Sequence, residues 1–501
     1  MQYTAAGLPI ELHSATQLLA LLKSRALGAV ELLDMLLARI EHLNPELNAV
    51  VVIDADGARA SARAADDTPA ARRGPLHGLP MTFKDVWEVS GMTASCGLPE
   101  LKLHRPLRDA DAVARLRRAG VIPFGKTNVP TLAADHQSYN PVYGTTNNPW
   151  DIVRTPGGSS GGAAAAVAAG LTPLELGSDI GGSIRCPSHF CGVYGHKSSF
   201  GIVPMRGHIP PPPGSFTAPP LGIAGPIARC PEDLERALDV LVAPAEWDRS
   251  AWSVQIPKSR HERLDQFRVA VWADQSSYSV DSRYCAALED YARALSAAGV
   301  HIDVTARPPI DPFASDDLYV AMLFRAISVG MDEEMLLQTD RAAVEYGGGS
   351  RGYPQRIARA VRMSHAEAEG LREDQQRLCR QWAQFFTDFD LILCPVMPTV
   401  AYRHDQSGQG SGHIAQYSRT LQVDGKAVPY LNGLQWPGLA TVANLPATAI
   451  PTGRFIYGLP VGLQAIGPYL EDRTALRFAQ LAAAVVGGFV APPQPAPAGL
   501  R

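Results

Sequence analysis

Apolar runs of strand length alternate along this chain with segments of helical periodicity, and that alternation does most to narrow the choice of fold. The strand-like runs are Asn48–Ile53, which reads as a buried strand, Val121–Phe124, Phe267–Trp272, Val300–Val304 and Leu391–Cys394. Further apolar segments lie at Ala447–Ile450 and Val461–Ile466. Between them fall helical patterns near Ala58–Ala65, Asp109–Ala119, Ala286–Ala298 and Thr474–Val486. Ser14 and Gln17 stand in capping-box spacing ahead of a first helix, and a second runs from about Val30 to His42 and stops before Pro45. This order predicts an α/β fold: a large mixed, mostly parallel sheet covered by helices on both faces.

No internal repeat is visible, and the Pro-rich stretches Ile209–Pro213 and Ala491–Pro497 read as a surface loop and a loose tail. Neither divides the chain, so all 501 residues are expected to form one domain, with its core at about 65–240 and 385–487. Residues from about 307 to 430 show weaker periodicity and read as a variable helical region that shapes a pocket. With 46% hydrophobic and 19% charged residues the chain can bury a large core. Its 45 basic and 49 acidic side chains nearly balance, which gives no reason to expect nucleic acid or an anionic membrane as partner.

Seven scattered cysteines make a poor disulfide framework, and no CxxC pair occurs. Reduced thiols and no structural metal or cofactor are expected. No segment reads as a signal peptide or a bilayer span, so a cytoplasmic location is expected.

The segment Gly157–Gly201 carries the chemistry. It places GGSSGG and DIGGS on either side of an Ala-rich helix and a short strand. A flexible linker does not ordinarily run straight into a helix former such as Ala163–Ala169. Glycines before Ser183 allow backbone N–H groups to converge on a small anion, as acyl transfer requires where charge develops on the carbonyl oxygen. A serine nucleophile needs a base. None of the thirteen histidines lies in a GxSxG arrangement. Lys84 follows the apolar run Leu79–Phe83, so its stem is expected to enter a partly buried site, where burial lowers a lysine pKa.

Together these residues resemble the amidase signature family. The match rests on HGLPMTFKD at His77–Asp85, GKTNVP at Gly125–Pro130, YGTTNNPWD at Tyr143–Asp151, the whole of Gly157–Gly201, AGPIAR at Ala224–Arg229 and GLPVGLQAIGP at Gly458–Pro468. The resemblance implies Lys84 as base, Ser159 as bridging serine behind a cis peptide from Gly158, and Ser183 as nucleophile twenty-four residues on. It implies an oxyanion hole from Ile180, Gly181, Gly182 and Ser183, with Ser160, Asp179 and Arg185 in support.

By the same resemblance, Ala133, Ala134 and Asp135 face the acyl pocket, where the two alanines leave room for a bulky or aromatic group. Asp135 either meets a substrate N–H or caps a turn. Tyr430 and Trp436 flank a Gly-rich segment and are placed as pocket walls, with core packing the alternative for the tryptophan. The loop Gly195–Ser199 departs from the family's usual Gly-Leu-Lys-Pro-Thr without removing a catalytic group. The implied reaction is hydrolysis of a small or aryl amide through a Ser183 acyl-enzyme, with carbamate or ester side activity and no cofactor. Homodimers are common in the family. Two other readings stand beside this one: the glutaminase subunit of a tRNA-dependent amidotransferase, and a non-catalytic binding protein.

Overall fold

The computed structural model describes residues 8–347, 349, 352–408 and 413–493. The Pro-rich tail at 491–501 therefore lies outside the described residues beyond position 493. The capping box forms as its spacing predicts. Ser14 Oγ accepts the Gln17 N–H at 3.1 Å and Gln17 Oε1 accepts the Ser14 N–H at 2.9 Å, starting the helix Ala15–Ser24. The next helix, Ala29–Leu47, does not stop before Pro45 but runs two residues past it. A proline in the last turn forgoes a single helical hydrogen bond. The Asn44 side chain then secures the exit, its Oδ1 accepting the N–H groups of Ala49 and Val50 at 2.8 and 2.9 Å.

Eleven strands form the main sheet. In chain order they are β1 (Val50–Ile53), β2 (Pro80–Lys84), β3 (Ile122–Thr127), β4 (Leu174–Asp179), β5 (Tyr194–Lys197), β6 (Ile223–Ala228), β7 (Arg268–Val271), β8 (His301–Asp303), β9 (Leu391–Cys394), β10 (Ala447–Ile456) and β11 (Leu459–Ile466). Their order across the sheet is β1-β3-β2-β4-β6-β5-β10-β11-β9-β7-β8. Successive residues of a strand point to opposite faces. Unbroken burial along β2, β3, β4, β5, β6, β9 and β11 therefore requires cover on both sides of the sheet. β1 departs from the expected buried strand. It is an edge strand, and Ile53 at its end is 43% exposed.

The sheet is mixed, as expected, but not mostly parallel. Among the described residues four neighbouring pairs are parallel (β2–β3, β2–β4, β7–β9 and β7–β8) and six are antiparallel. The physical reason is clearest at β10–β11. Two residues, Tyr457 and Gly458, join these strands, and a parallel pair needs a crossover of roughly a dozen residues or more. Both turn residues have positive φ, 55° and 76°, the backbone that a two-residue hairpin demands.

The region 307–430 supplies the helices Pro312–Ile327, Glu333–Tyr346, Tyr353–Val361 and His365–Asp388, but also strand β9 and a small ribbon, Thr420–Val423 with Lys426–Pro429. The Pro-rich loop at 209–213 is only partly at the surface, since Ile209 is buried. Among the described residues no helix is long and apolar enough to cross a membrane.

β2 and β4 matter most for function. They are parallel neighbours, with Thr82 opposite Glu175 and Phe83 opposite Leu176. Their carboxyl ends therefore lie side by side and bring Lys84 next to Ser178 and Asp179, where open α/β sheets commonly carry their sites.

Candidate active site

Lys84 closes β2 and is wholly buried. Its Nζ lies 2.7 Å from Ser159 Oγ, 3.0 Å from Ser178 Oγ and 3.2 Å from the Ser178 carbonyl. Burial drives its pKa down to about 7, against upward pulls from Cys96, Asp179 and Glu175. Glu175, in the strand beside it, is itself pushed up to about 8 by burial although Thr82 and Thr127 donate to it. Burial thus favours the uncharged amine.

Ser159 sits just before the helix Gly161–Ala168, and the Gly158–Ser159 peptide is cis. That helix is buried at every residue and packs on β4 and on the helix Arg185–Cys191. Its small side chains permit the approach: a Cβ on Gly162 would stand 2.4 Å from the Asn128 nitrogen. Gly158 is equally constrained, since a Cβ there would lie 2.3 Å from the Asp135 carbonyl oxygen. Ser160 N–H donates to the Ser183 carbonyl at 3.0 Å and so ties the two serine-bearing segments together.

Asp179 and Arg185 form the frame around Ser183. The Asp179 carboxylate accepts the N–H groups of Gly182 and Ile184 at 2.9 and 3.0 Å, and two guanidinium nitrogens of Arg185 at 3.1 and 2.9 Å. Burial opposes its ionisation, but the adjacent Arg185 and these donors outweigh that and hold it well below the usual carboxylate range. Arg185 also donates to the Pro437 carbonyl, Gln464 Oε1 and Thr441 Oγ1, at 3.0, 2.8 and 2.9 Å.

The loop 180–183 differs from the expected set of four oxyanion donors at one position. The Gly182 N–H is committed to Asp179. No acceptor takes the N–H groups of Ile180, Gly181 or Ser183 among the described residues. In a trans peptide the C=O and N–H point in opposite directions. Pinning a carbonyl therefore aims the following N–H. Tyr319 Oη donates to the Ile180 carbonyl at 2.9 Å, which turns the Gly181 N–H the other way. His136 Nε2 donates to the Gly181 carbonyl at 2.8 Å, which turns the Gly182 N–H towards Asp179. The Cys186 N–H holds the Gly182 carbonyl at 2.7 Å and so orients the N–H of Ser183.

Tyr319 and His136 were not legible as site residues. They come from the helix Pro312–Ile327 and from the pocket-side run after Pro130, and neither lies in a local motif. Tyr319→Phe removes one carbonyl anchor without changing the ring. We expect kcat to fall by up to roughly tenfold, the worth of one hydrogen bond, with KM held. Steady-state kinetics on any substrate turned over would check this, and an unchanged kcat would deny the loop its anchor.

The pocket-side residues divide. Ala133 and Ala134 are half-buried, and the Ala134 carbonyl accepts from Gln416 at 2.6 Å. Asp135 caps no turn among the described residues; its carboxylate is engaged by three side chains. Arg419 donates to its Oδ2 at 2.7 Å, and Tyr430 and Tyr139 hydroxyls donate to its two oxygens at 2.6 and 3.2 Å. Tyr430 is thereby tied down, with Tyr402 Oη a further 2.9 Å away. Trp436 packs in the core: its ring lies edge-on to Trp272 at 5.6 Å, and its Nε1 donates to the Ser279 carbonyl at 3.3 Å. A buried tryptophan with a satisfied N–H is held by packing.

The Amidase family profile matches residues 31–476. A glutamyl-tRNA(Gln) amidotransferase subunit from Roseiflexus castenholzii (strain DSM 13941 / HLO8) is 31% identical over 488 residues, covering 94% of this chain and 95% of that one. Among solved structures, a bacterial aryl acylamidase of the amidase signature enzymes has a TM-score of 0.78 at 23% identity, covering 96% of this chain and 97% of its own. The 6-aminohexanoate cyclic dimer hydrolase also reaches 0.78 at 23% identity, covering 97% and 99%. A family match across nearly the whole chain, with likeness of fold over the same extent, makes this protein a member of the amidase signature family, an enzyme of amide C–N chemistry.

Proposed function

We propose that the protein is a free-standing amidase that hydrolyses small or aryl amides, with carbamates and esters as side substrates, through an acyl-enzyme on Ser183. The observation that carries this reading is the buried Lys84 Nζ 2.7 Å from the Ser159 hydroxyl, where burial pushes its pKa down to about 7. Neutral Lys84 takes the Ser159 proton as Ser159 takes that of Ser183, and Ser183 Oγ attacks the amide carbonyl. The oxyanion is met by N–H groups of Ile180, Gly181 and Ser183. Ser159 then protonates the departing nitrogen, a step an amide needs because its anion is a poor leaving group. Water activated through the same relay releases the acid.

Because the base must be uncharged, activity is expected to rise with pH as Lys84 loses its proton, with the midpoint of the acid limb near 7. A profile flat between mildly acidic and alkaline pH counts against the assignment. The direct test is the purified chain against a panel of aryl amides, carbamates and esters, together with fluorophosphonate labelling mapped to Ser183. Turnover with labelling supports the reading; neither supports a non-catalytic protein.

One observation favours a second reading, a glutaminase that works within a complex: relatives 30–33% identical carry the name of a glutamyl-tRNA(Gln) amidotransferase subunit. That reading predicts glutamine hydrolysis only when a partner protein is present, and no turnover of aryl amides by the chain alone.

A further inference from the structure

We propose that His208 is a positioning residue which, through Ser178, forces the lone pair of neutral Lys84 onto the Ser159 hydroxyl. The inference rests on the reading of Lys84 as base. It follows from counting protons around Nζ. Three groups lie within hydrogen-bonding distance of it: Ser159 Oγ, Ser178 Oγ and the Ser178 carbonyl. A charged lysine has three N–H donors and satisfies all three. The neutral amine has two donors and one lone pair, so one of the three groups must become the donor. The carbonyl has no proton to give. Had the Ser178 hydroxyl been free to rotate, it would compete with Ser159 for the lone pair and leave the relay misdirected in part of the population.

His208 removes that freedom. Its Nδ1 stands 2.8 Å from the Pro210 carbonyl, which can only accept, so the ring proton resides on Nδ1. In the neutral ring Nε2 is then an acceptor, and it lies 2.9 Å from Ser178 Oγ. The Ser178 proton is therefore committed to His208, and Ser178 Oγ turns a lone pair to Lys84. Only Ser159 is left to donate into the base, which is the direction the relay requires.

The ring is held for this role. It packs edge-on against Trp87 at 4.9 Å, and Trp87 in turn donates through Nε1 to the Leu176 carbonyl at 3.1 Å. Burial lowers the His208 pKa, and the neighbouring Lys84 pushes it the same way, which keeps the ring neutral. The other titratable groups that act on Lys84 are Cys96, Asp179 and Glu175, and none of them hydrogen-bonds to Ser178 Oγ among the described residues.

His208→Phe keeps a ring against Trp87 and removes the acceptor. The Ser178 proton then has only the Lys84 lone pair to seek, which stabilises the neutral amine but diverts it from Ser159. Two changes are expected together in kcat against pH on an aryl amide. The plateau falls about three- to tenfold and the acid limb moves down by about half a unit to one unit, both set by the worth of one hydrogen bond. A purely structural role for the ring predicts no such shift.

Three further variants sharpen the test. In His208→Phe/Ser178→Ala the competing hydroxyl is gone and part of the plateau should return. His208→Gln, whose amide oxygen accepts in place of Nε2, should keep most of it. His208→Met, with no strong acceptor, takes the place of the phenylalanine variant should that one not fold. A plateau and limb unmoved by loss of the acceptor, or a double variant slower than the single one, overturns the proposal while the wild type remains active. A wild type that neither turns over nor labels at Ser183 overturns the amidase reading and this inference with it.

Discussion

Lys84→Met is expected to lower kcat by about three to four orders of magnitude, the upper part of the range for loss of a positioned general base. Methionine conserves the volume of the buried stem, so the fold should survive with a change of under about 1.5 kcal/mol. The two halves of that expectation separate chemistry from folding. Turnover is read on the best amide found in the panel, and stability from a thermal melt of the same preparation. Ser159→Ala should fall by a similar factor. The double variant should lose little more than either single one, because residues acting as one relay do not contribute additively. Retained turnover at neutral pH in Lys84→Met would remove the base from the mechanism. Additive losses would mean that Lys84 and Ser159 act independently despite their 2.7 Å separation.

The second large effect is on stability. Arg185 is fully buried against Asp179 and also serves Pro437, Gln464 and Thr441. Arg185→Met leaves the Asp179 carboxylate buried without its counter-charge, and removing one partner of such a pair typically costs about 3–5 kcal/mol. Denaturant unfolding of variant and wild type measures it, and a difference below about 1 kcal/mol would show that the backbone N–H groups alone carry Asp179. The pH dependence has a definite sign. A carboxyl whose folded pKa is depressed contributes stability above its unfolded pKa, and that contribution is lost as pH falls towards the folded value. The gap between wild type and variant should therefore be full where Asp179 is ionised in both folded proteins, and narrow as pH falls and the variant's buried carboxyl, without its counter-charge, takes up a proton that the wild type still refuses.

Much of the site was legible because its chemistry is local. The two glycine–serine clusters needed only their own spacing and the helix former between them to stand out. The capping box at Ser14 was legible for the same reason, since its partners are three residues apart. Lys84 was legible as a candidate because an apolar strand carries it inward. What escaped was non-local. Tyr319 and His136 reach the oxyanion loop from 139 and 45 residues away in sequence, through single hydrogen bonds that leave no pattern. Asp135 meets Arg419 across 284 residues. The hairpin β10–β11 escaped because Tyr457–Gly458 is not the Asn-Gly or Asp-Gly pair that marks such turns.

Unaided, the amino-acid sequence determined which functional groups the protein possesses and the alternation that makes it an α/β sheet, because both depend on neighbours along the chain. Only the tertiary structure decided what those groups are worth. It set the direction of each strand, the aim of each loop N–H and the burial that lowers the Lys84 pKa. Protonation depends on how far water is excluded and on which partners close around a group, and distant segments decide both.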